Sequence, residues 1–210
     1  MDKSSTETST REHILEAARK VFIRDGFHGA RMQDIANAAG LNKALLHYYY
    51  KNKETLFELV FNDAFSEFIP KIHSIFMGPG SVLEKTEAYL EAHLGLLIKK
   101  PDLPMFVMTE IHRDPERFFA NFLGRMPGEP PFERFLQQIA DEMRDGKIRT
   151  MNPRDLWINV MGMTIFPFIS RPMLQKLTLM NDREFKDLML QRKNSILEFI
   201  RLAILLPEKN

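Results

Sequence analysis

Cysteine is absent from this 210-residue chain. Without a thiol, the chain cannot form a disulfide, a thiolate zinc site or an iron–sulfur site, and it has no cysteine nucleophile. An excess of charge is also missing, because 29 Lys and Arg residues stand against 28 Asp and Glu residues, for a formal net charge of +1. This balance excludes a polybasic tail and an acidic disordered protein. Affinity for nucleic acid would therefore have to come from the placement of the basic residues.

Long apolar segments are missing as well. The first ten residues are polar and carry both signs of charge, unlike a signal peptide. The longest late apolar run, Leu202–Leu206, is far shorter than the roughly 20 residues of a transmembrane helix. No two histidines have the H-x-x-x-H spacing of a metal site. We expect a soluble cytoplasmic protein with no membrane partner, no metal and no cofactor.

The chain does contain helical periodicity along most of its length. Apolar residues recur at three- and four-residue steps, and no alternating β-branched run requires a sheet. The pattern predicts an all-α fold with a flexible leader (1–9), a small N-terminal domain (10–56) and a larger C-terminal domain (57–210). A capping-box spacing, Ser9 to Glu12, predicts where the first helix begins, and Gly26 predicts its end. A long fourth helix is predicted to open with Lys51-Asn52-Lys53-Glu54 and to run through Phe68. Beyond Gly80, helices are predicted at about 81–99, 102–112, 115–124, 131–146, 153–169 and 182–206.

The most specific motif lies between residues 32 and 51. Two short helices joined by a tight turn need a small residue where they cross and a glycine in the turn, and Ala36 and Gly40 have this spacing. The positions that must pack between the helices are apolar or aromatic: Ile35, Ala39, Leu41, Leu46 and Tyr49. This combination predicts a helix-turn-helix.

The third helix divides into two sides at roughly 100° per residue. One side carries Asn42, Leu45, Leu46 and Tyr49; the other carries Lys43, Ala44, His47 and Tyr48 and is free to enter a major groove. Three lysines and no arginine or carboxylate lie between Gly40 and Lys53, which concentrates positive charge in this segment. The alternative is that the three consecutive tyrosines are ordinary core residues and the lysines an ordinary solvated face.

Residues from about Thr10 to Phe61 resemble the TetR/AcrR family of transcriptional regulators. The similar residues include Gly26-Phe27, Asp34-Ile35-Ala36, Ala39-Gly40-Leu41, Tyr49-Tyr50 and Lys51-Asn52-Lys53-Glu54-Thr55-Leu56. The resemblance implies a three-helix DNA-binding domain followed by a helical domain for effector binding and dimerisation. It implies DNA contacts from the second helix (Arg31, Gln33), from the third (Lys43, Ala44, His47) and, at phosphates, from Tyr49 and Lys53. The family usually has tyrosine where this chain has His47, so its operator is expected to differ from those of better-known members.

The C-terminal part is rich in Met and Phe, which can form a deformable pocket for an apolar ligand. Helical spacing places Tyr89 and His93 on one face, and Trp157, Met161 and Phe168 on another. With Met105 and Phe106 these residues form the candidate effector pocket; the alternative is that they are ordinary core residues.

The last two predicted helices are apolar on more than one side, so they need a partner beyond their own core. We expect a homodimer in which these helices from two chains meet, and hence a pseudo-palindromic operator. The leading hypothesis is a repressor that a small effector releases from double-stranded DNA, with the rigid fourth helix moving as a lever.

Two other classes of function remain as alternatives. An enzyme is disfavoured because G-x-S-x-G, P-loop, G-x-G-x-x-G and H-E-x-x-H motifs are absent, and Asp141-Glu142 are interpreted as part of a charged helix face. A helical module that binds another protein would not explain the cationic helix-turn-helix.

Overall fold

The computed structural model describes residues 3–206, with side chains from Thr8 onward. Within this range the chain forms twelve α-helices and no strand, which confirms the predicted all-α class. Met1 and Asp2, the start of the predicted leader, lie outside the described residues. The helices are α1 (Lys3–Gly29), α2 (Met32–Ala38), α3 (Lys43–Tyr49), α4 (Lys53–Phe65), α5 (Phe68–Met77), α6 (Val82–Lys99), α7 (Leu103–Arg113), α8 (Pro115–Leu123), α9 (Phe132–Arg144), α10 (Pro153–Ile169), α11 (Arg171–Thr178) and α12 (Asp182–Ile204).

Packing divides the chain into two units. The N-terminal unit contains the residues up to Ser66 together with Met105–Gly124. The C-terminal unit contains Glu67–Pro104 and the residues from Arg125 onward. This division differs from the predicted boundary after residue 56, because α4 packs along α1 and because residues 105–124 return to the N-terminal unit. The predicted domains, as functional units, stay a prediction.

The first helix differs from the prediction at its start and agrees with it near its end. It begins at Lys3, so Ser9–Glu12 lie inside the helix and the capping-box interpretation is wrong. Gly26 interrupts it with a left-handed φ of 66°, a conformation that costs glycine little. A Cβ at this position would overlap the side chain of Arg113, so the glycine also permits close packing.

Aromatic rings form the core of the N-terminal unit. Phe57 on α4 lies at its centre, with ring centroids 5.3 Å from Phe22, 5.1 Å from Phe27 and 5.8 Å from Phe106. All three pairs are edge-on or tilted, as ring quadrupoles favour. This core joins α1, α4 and α7.

The predicted long fourth helix is wrong. Helix α4 ends at Phe65 and α5 begins at Phe68. Pro70 has no N–H to donate to the carbonyl of Ser66 and its ring crowds that carbonyl, which explains the interruption at this point. A second departure is α11, which lies between the predicted helices 153–169 and 182–206 and was missed by the sequence pattern. Proline is well tolerated in the first turn of a helix, and Pro172 lies there.

The C-terminal unit surrounds α6, which begins with a capping box between Ser81 and Glu84. Glu142, interpreted from the sequence as part of a charged surface, is only 8% exposed. Its Oε1 accepts hydrogen bonds from the Val82 N–H at 2.9 Å and from Gln138 Nε2 at 2.9 Å. This carboxylate therefore satisfies a donor in the first turn of α6, and the surface interpretation of Glu142 is wrong.

Candidate nucleic-acid interface

Helices α2 and α3 form the helix-turn-helix. Gly40 takes a left-handed φ of 63° in the turn, and the Leu41 N–H donates to the Ala36 carbonyl at 2.9 Å. Ile35, Ala36 and Leu46 are 0% exposed, which fixes the two helices against each other and against their neighbours. The packing between α2 and α3 thus follows the spacing in the sequence.

The exposed side of α3 carries the residues expected there. Lys43, Ala44, His47 and Tyr48 are all exposed, and Tyr48 is 76% exposed. The N-cap residue of the helix is Asn42, whose side-chain oxygen accepts a hydrogen bond from the Leu45 N–H at 2.7 Å. Leu45 is 37% exposed although periodicity placed it on the packing side. A short helix in this setting buries mainly one residue, Leu46.

The three tyrosines have three different environments. Tyr48 is exposed, Tyr49 is half-buried with the Arg11 guanidinium 5.8 Å from its ring centre, and Tyr50 is buried. Burial raises the pKa of Tyr50 above its usual value. The interpretation as core aromatics therefore applies to Tyr50, whereas Tyr48 and Tyr49 keep surface that DNA can reach.

His47 and Lys53 both make hydrogen bonds to backbone carbonyls. His47 Nδ1 lies 3.1 Å from the Lys51 carbonyl oxygen. Lys53 Nζ donates to the carbonyls of Ala30 at 2.9 Å and His28 at 3.4 Å, and it lies 4.5 Å from the centre of the Phe27 ring. Lys53 therefore fastens the start of α4 to the end of α1, a contact that sequence reasoning missed.

The two candidate residues near the start of α2 are exposed. Arg31 is the N-cap residue, with extended backbone, and its guanidinium makes no capping bond because it can only donate. Gln33 donates from Nε2 to Asn37 Oδ1 at 2.9 Å. Both positions are compatible with phosphate contacts.

Residues 105–124 pack within the N-terminal unit through contacts that no local sequence pattern indicated. Glu110 is 2% exposed and its carboxylate accepts the Phe27 N–H at 2.8 Å. Burial raises the pKa of Glu110. The Arg117 guanidinium lies 3.1 Å from the centre of the Phe27 ring and 4.3 Å from that of Phe57. Glu110 and Arg117 are more than 80 residues from Phe27 along the chain, so no local pattern could have indicated them.

Four of the seven candidate effector residues come together in the C-terminal unit. Tyr89 is 1% exposed; its hydroxyl lies 2.5 Å from His93 Nδ1 and donates to Met161 Sδ at 2.7 Å. The Trp157 ring lies 4.9 Å from the Tyr89 ring. Burial lowers the pKa of His93 to about 4 and raises that of Tyr89. The cluster is therefore a neutral polar group within an aromatic wall.

The other three candidates do not join this cluster. Met105 is 42% exposed, and Phe106 is buried against Phe57 in the core of the N-terminal unit. Phe168 packs against Phe185 with centroids 6.1 Å apart. Periodicity on separate helices does not say which stripes face one another, and the assignment of these three residues to the effector pocket stays a prediction.

The described residues, 3–206, contain neither a metal-binding cluster nor a membrane-spanning helix. No group of three or more His, Asp or Glu side chains there could hold a metal ion. None of the helices in residues 3–206 has the length and apolar character to cross a membrane.

The buried core between α2 and α3 and the exposed Lys43 and His47 on α3 place this chain in the class of helix-turn-helix proteins. Residues 14–60 match the family model of bacterial regulatory proteins, tetR family. Residues 14–60 therefore carry the DNA-binding domain of the tetR family, and the resemblance found in this part of the sequence is confirmed.

Two relatives match parts of the chain, and each match covers only part of the relative's own length. The chain is 41% identical over 59 residues to the HTH-type transcriptional repressor NicS of Pseudomonas putida, covering 28% of this chain and 28% of NicS. It is 25% identical over 100 residues to the fatty acid metabolism regulator protein of Bacillus subtilis, covering 48% and 52%. The matches thus span between about a quarter and a half of these relatives.

A solved structure resembles the fold of nearly the whole chain. The crystal structure of the regulator FadR from Bacillus subtilis in complex with stearoyl-CoA superposes with a TM-score of 0.55 and 19% identity. It covers 90% of this chain and 97% of FadR. At this identity the likeness establishes the shared all-helical fold.

Proposed function

We propose that this chain is a one-component transcriptional repressor that binds double-stranded DNA through the exposed side of α3. The observation that carries the proposal is the division of α3: Leu46 is buried, whereas Lys43 and His47 are exposed in a segment without carboxylates. Positive charge placed on a helix that can enter a groove is the electrostatic requirement for DNA binding. The names of the relatives, a repressor and a metabolic regulator, support this function over catalysis.

The protein acts as a homodimer in this proposal, through α10 and α12. Both helices expose large apolar side chains: Ile158 is 62%, Phe166 54%, Phe199 62% and Leu202 72% exposed. Exposed apolar surface of this kind favours a partner, and a two-fold axis allows the same surface to pair with itself. Two α3 helices related by that axis predict a pseudo-palindromic operator.

An apolar effector with one polar group is the proposed ligand of the C-terminal unit. Tyr89, His93 and Met161 offer a hydroxyl, an imidazole and a flexible thioether, and Trp157 adds aromatic surface. Methionine repacks readily around ligands of different shape. The apolar stearoyl chain of the stearoyl-CoA bound to FadR supports an effector with an apolar part, and release of DNA on effector binding completes the repressor cycle.

The connection between the units suggests how the effector changes DNA affinity. A rigid α4 lever is no longer supported, because the helix is interrupted where the N-terminal unit ends at Ser66. The chain also passes between the units after Pro104 and after Gly124. We propose that residues 105–124, held by Glu110 and Arg117, transmit a displacement to the end of α1.

DNA binding is tested by gel shift against the upstream region of the protein's own gene, across a series of salt concentrations. Binding should weaken by about 0.9 log units per log unit of salt for each phosphate neutralised. The Lys43→Ala and His47→Ala variants should each alter the sequence preference. Lys176→Ala, an exposed lysine on α11, is the matched control and should bind like the wild type. If neither change on α3 alters DNA binding, the assignment of α3 as the helix that contacts DNA is refuted.

The dimer is tested by analytical ultracentrifugation. Phe199→Glu and Leu202→Glu should yield monomers that keep their helical circular-dichroism spectrum, because these side chains contribute no core in a single chain. Leu177→Glu, at a position 72% exposed on α11, should remain dimeric. Equal dimerisation of all variants contradicts the α10–α12 interface.

Effector binding is tested by fluorescence, because Trp157 is the single tryptophan of the chain. Titration with stearoyl-CoA should change its emission, and Tyr89→Phe should weaken the change. An emission that stays constant while the ligand releases DNA would place the effector elsewhere.

A further inference from the structure

The inference concerns the chemical face that His47 presents to DNA, and it rests on the proposed function. We propose that His47 is a specificity-determining residue that offers a hydrogen-bond acceptor to the major groove. It then selects a base with an exocyclic amino group, adenine or cytosine, on the strand it contacts.

The acceptor follows from a hydrogen bond within the protein. His47 Nδ1 lies 3.1 Å from the Lys51 carbonyl oxygen, and a carbonyl can only accept, so Nδ1 carries the proton. A neutral imidazole has a single N–H, so Nε2 is left with a lone pair. The free tautomer choice of an exposed histidine is thereby biased toward one form.

The position of Lys51 explains why this bond is available. Lys51 lies between α3 and α4, outside both helices, so its carbonyl takes no part in a helical ladder. The bond joins His47 on α3 to Lys51, four residues later and just beyond the end of the helix. Moving the proton to Nε2 would break it, and the neutral side chain would have to give up an internal contact in order to donate to a base.

The exposed side of α3 therefore carries two groups of opposite hydrogen-bonding character. Lys43 lies one helical turn before His47 and can only donate, which suits guanine N7 and O6 or a phosphate. His47 Nε2 can only accept in this tautomer, which suits adenine N6 or cytosine N4. Guanine and thymine present acceptors at the same edge and leave Nε2 unpaired. Lys43 thus selects a base that accepts a hydrogen bond, and His47 selects a base that donates one.

The tautomer can be measured on the DNA-free dimer by nitrogen-15 NMR. In its neutral form, the His47 ring should show a protonated Nδ1 and an unprotonated Nε2. The resonances are assigned by comparison with His47→Gln. A proton on Nε2 overturns the inference, whatever the protein does with DNA.

The base preference is measured by selection from random duplex DNA. The wild type should enrich adenine or cytosine at one position of each half-site, with an advantage of about two- to tenfold over guanine and thymine. His47→Ala should lose the preference at that position alone. His47→Arg, which can only donate, should change it to guanine, and Lys43→Ala should alter a different position.

The possible failures of this experiment have different meanings. Guanine or thymine selected by the wild type at the position that depends on His47 overturns the acceptor assignment. A His47→Ala profile identical to that of the wild type shows that His47 reads no base. If the wild type selects no sequence, the DNA-binding function itself is refuted, together with this inference.

Discussion

Lys53 offers a prediction that separates a phosphate contact from a structural role. Its ammonium lies 2.9 Å from the Ala30 carbonyl oxygen, 3.4 Å from that of His28 and 4.5 Å from the centre of the Phe27 ring. We expect Lys53→Met to keep the apolar stem and to remove all three contacts. If Lys53 only met phosphates, the stability of the free protein would not change.

The magnitude follows from these contacts. A hydrogen bond from a charged donor contributes about 1.5–3 kcal/mol, which the half-exposed position and the long bond to His28 reduce to about 1–2 kcal/mol. The cation–π contact adds about 0.5 kcal/mol. We therefore expect Lys53→Met to lower the free energy of unfolding by about 2 kcal/mol, a substantial part of the 5–15 kcal/mol typical of a domain.

The assay is urea unfolding followed by circular dichroism, with Lys51→Met as the matched control. Lys51 is exposed and only its backbone carbonyl makes a contact, so its variant should stay within about 0.5 kcal/mol of the wild type. Lys53→Arg should recover part of the loss, because a guanidinium can still donate. A Lys53→Met midpoint equal to that of the control refutes the structural role. A salt dependence of DNA binding unchanged by Lys53→Met refutes the phosphate contact.

Three further predictions concern pH and backbone conformation. Burial raises the pKa of Glu110 above 4.5, so the folded state holds its proton more tightly and stability falls as pH rises beyond that value; Glu110→Gln should flatten this fall in urea titrations. Burial lowers the pKa of His93 from 6.5 to about 4, so stability is lost as pH falls through this window, and His93→Gln should remove a loss of up to about 3 kcal/mol. Gly26→Ala should lower the melting temperature, because φ is 66° and the new methyl group would meet Arg113. Its control, Gly95→Ala in open space on α6, should raise stability by up to about 1 kcal/mol. Equal effects of the two glycine changes would contradict the strain at Gly26.

Local patterns were sufficient for the helix-turn-helix. The spacing of Ala36 and Gly40 predicted the turn, and the helical period separated Lys43 and His47 from Leu46. These features depend on residues within one or two turns of each other, where the geometry of the helix alone fixes the relation.

Long-range contacts were beyond the reach of such patterns. Glu110 and Arg117 meet Phe27 only after the chain has returned to the N-terminal unit. Met105 and Phe106 entered the predicted pocket because they are apolar, and periodicity cannot tell which core a stripe joins. The interruption before α5 was different, since Pro70 was visible in the sequence and its effect on a long helix was overlooked.

A crystal structure of the dimer on a selected duplex would show whether the exposed side of α3 reads the major groove. We expect two α3 helices in successive major grooves, with Lys43 and His47 within hydrogen-bonding distance of base edges. A complex in which α3 faces away from the duplex, or in which another surface of the protein makes the base contacts, would contradict this expectation.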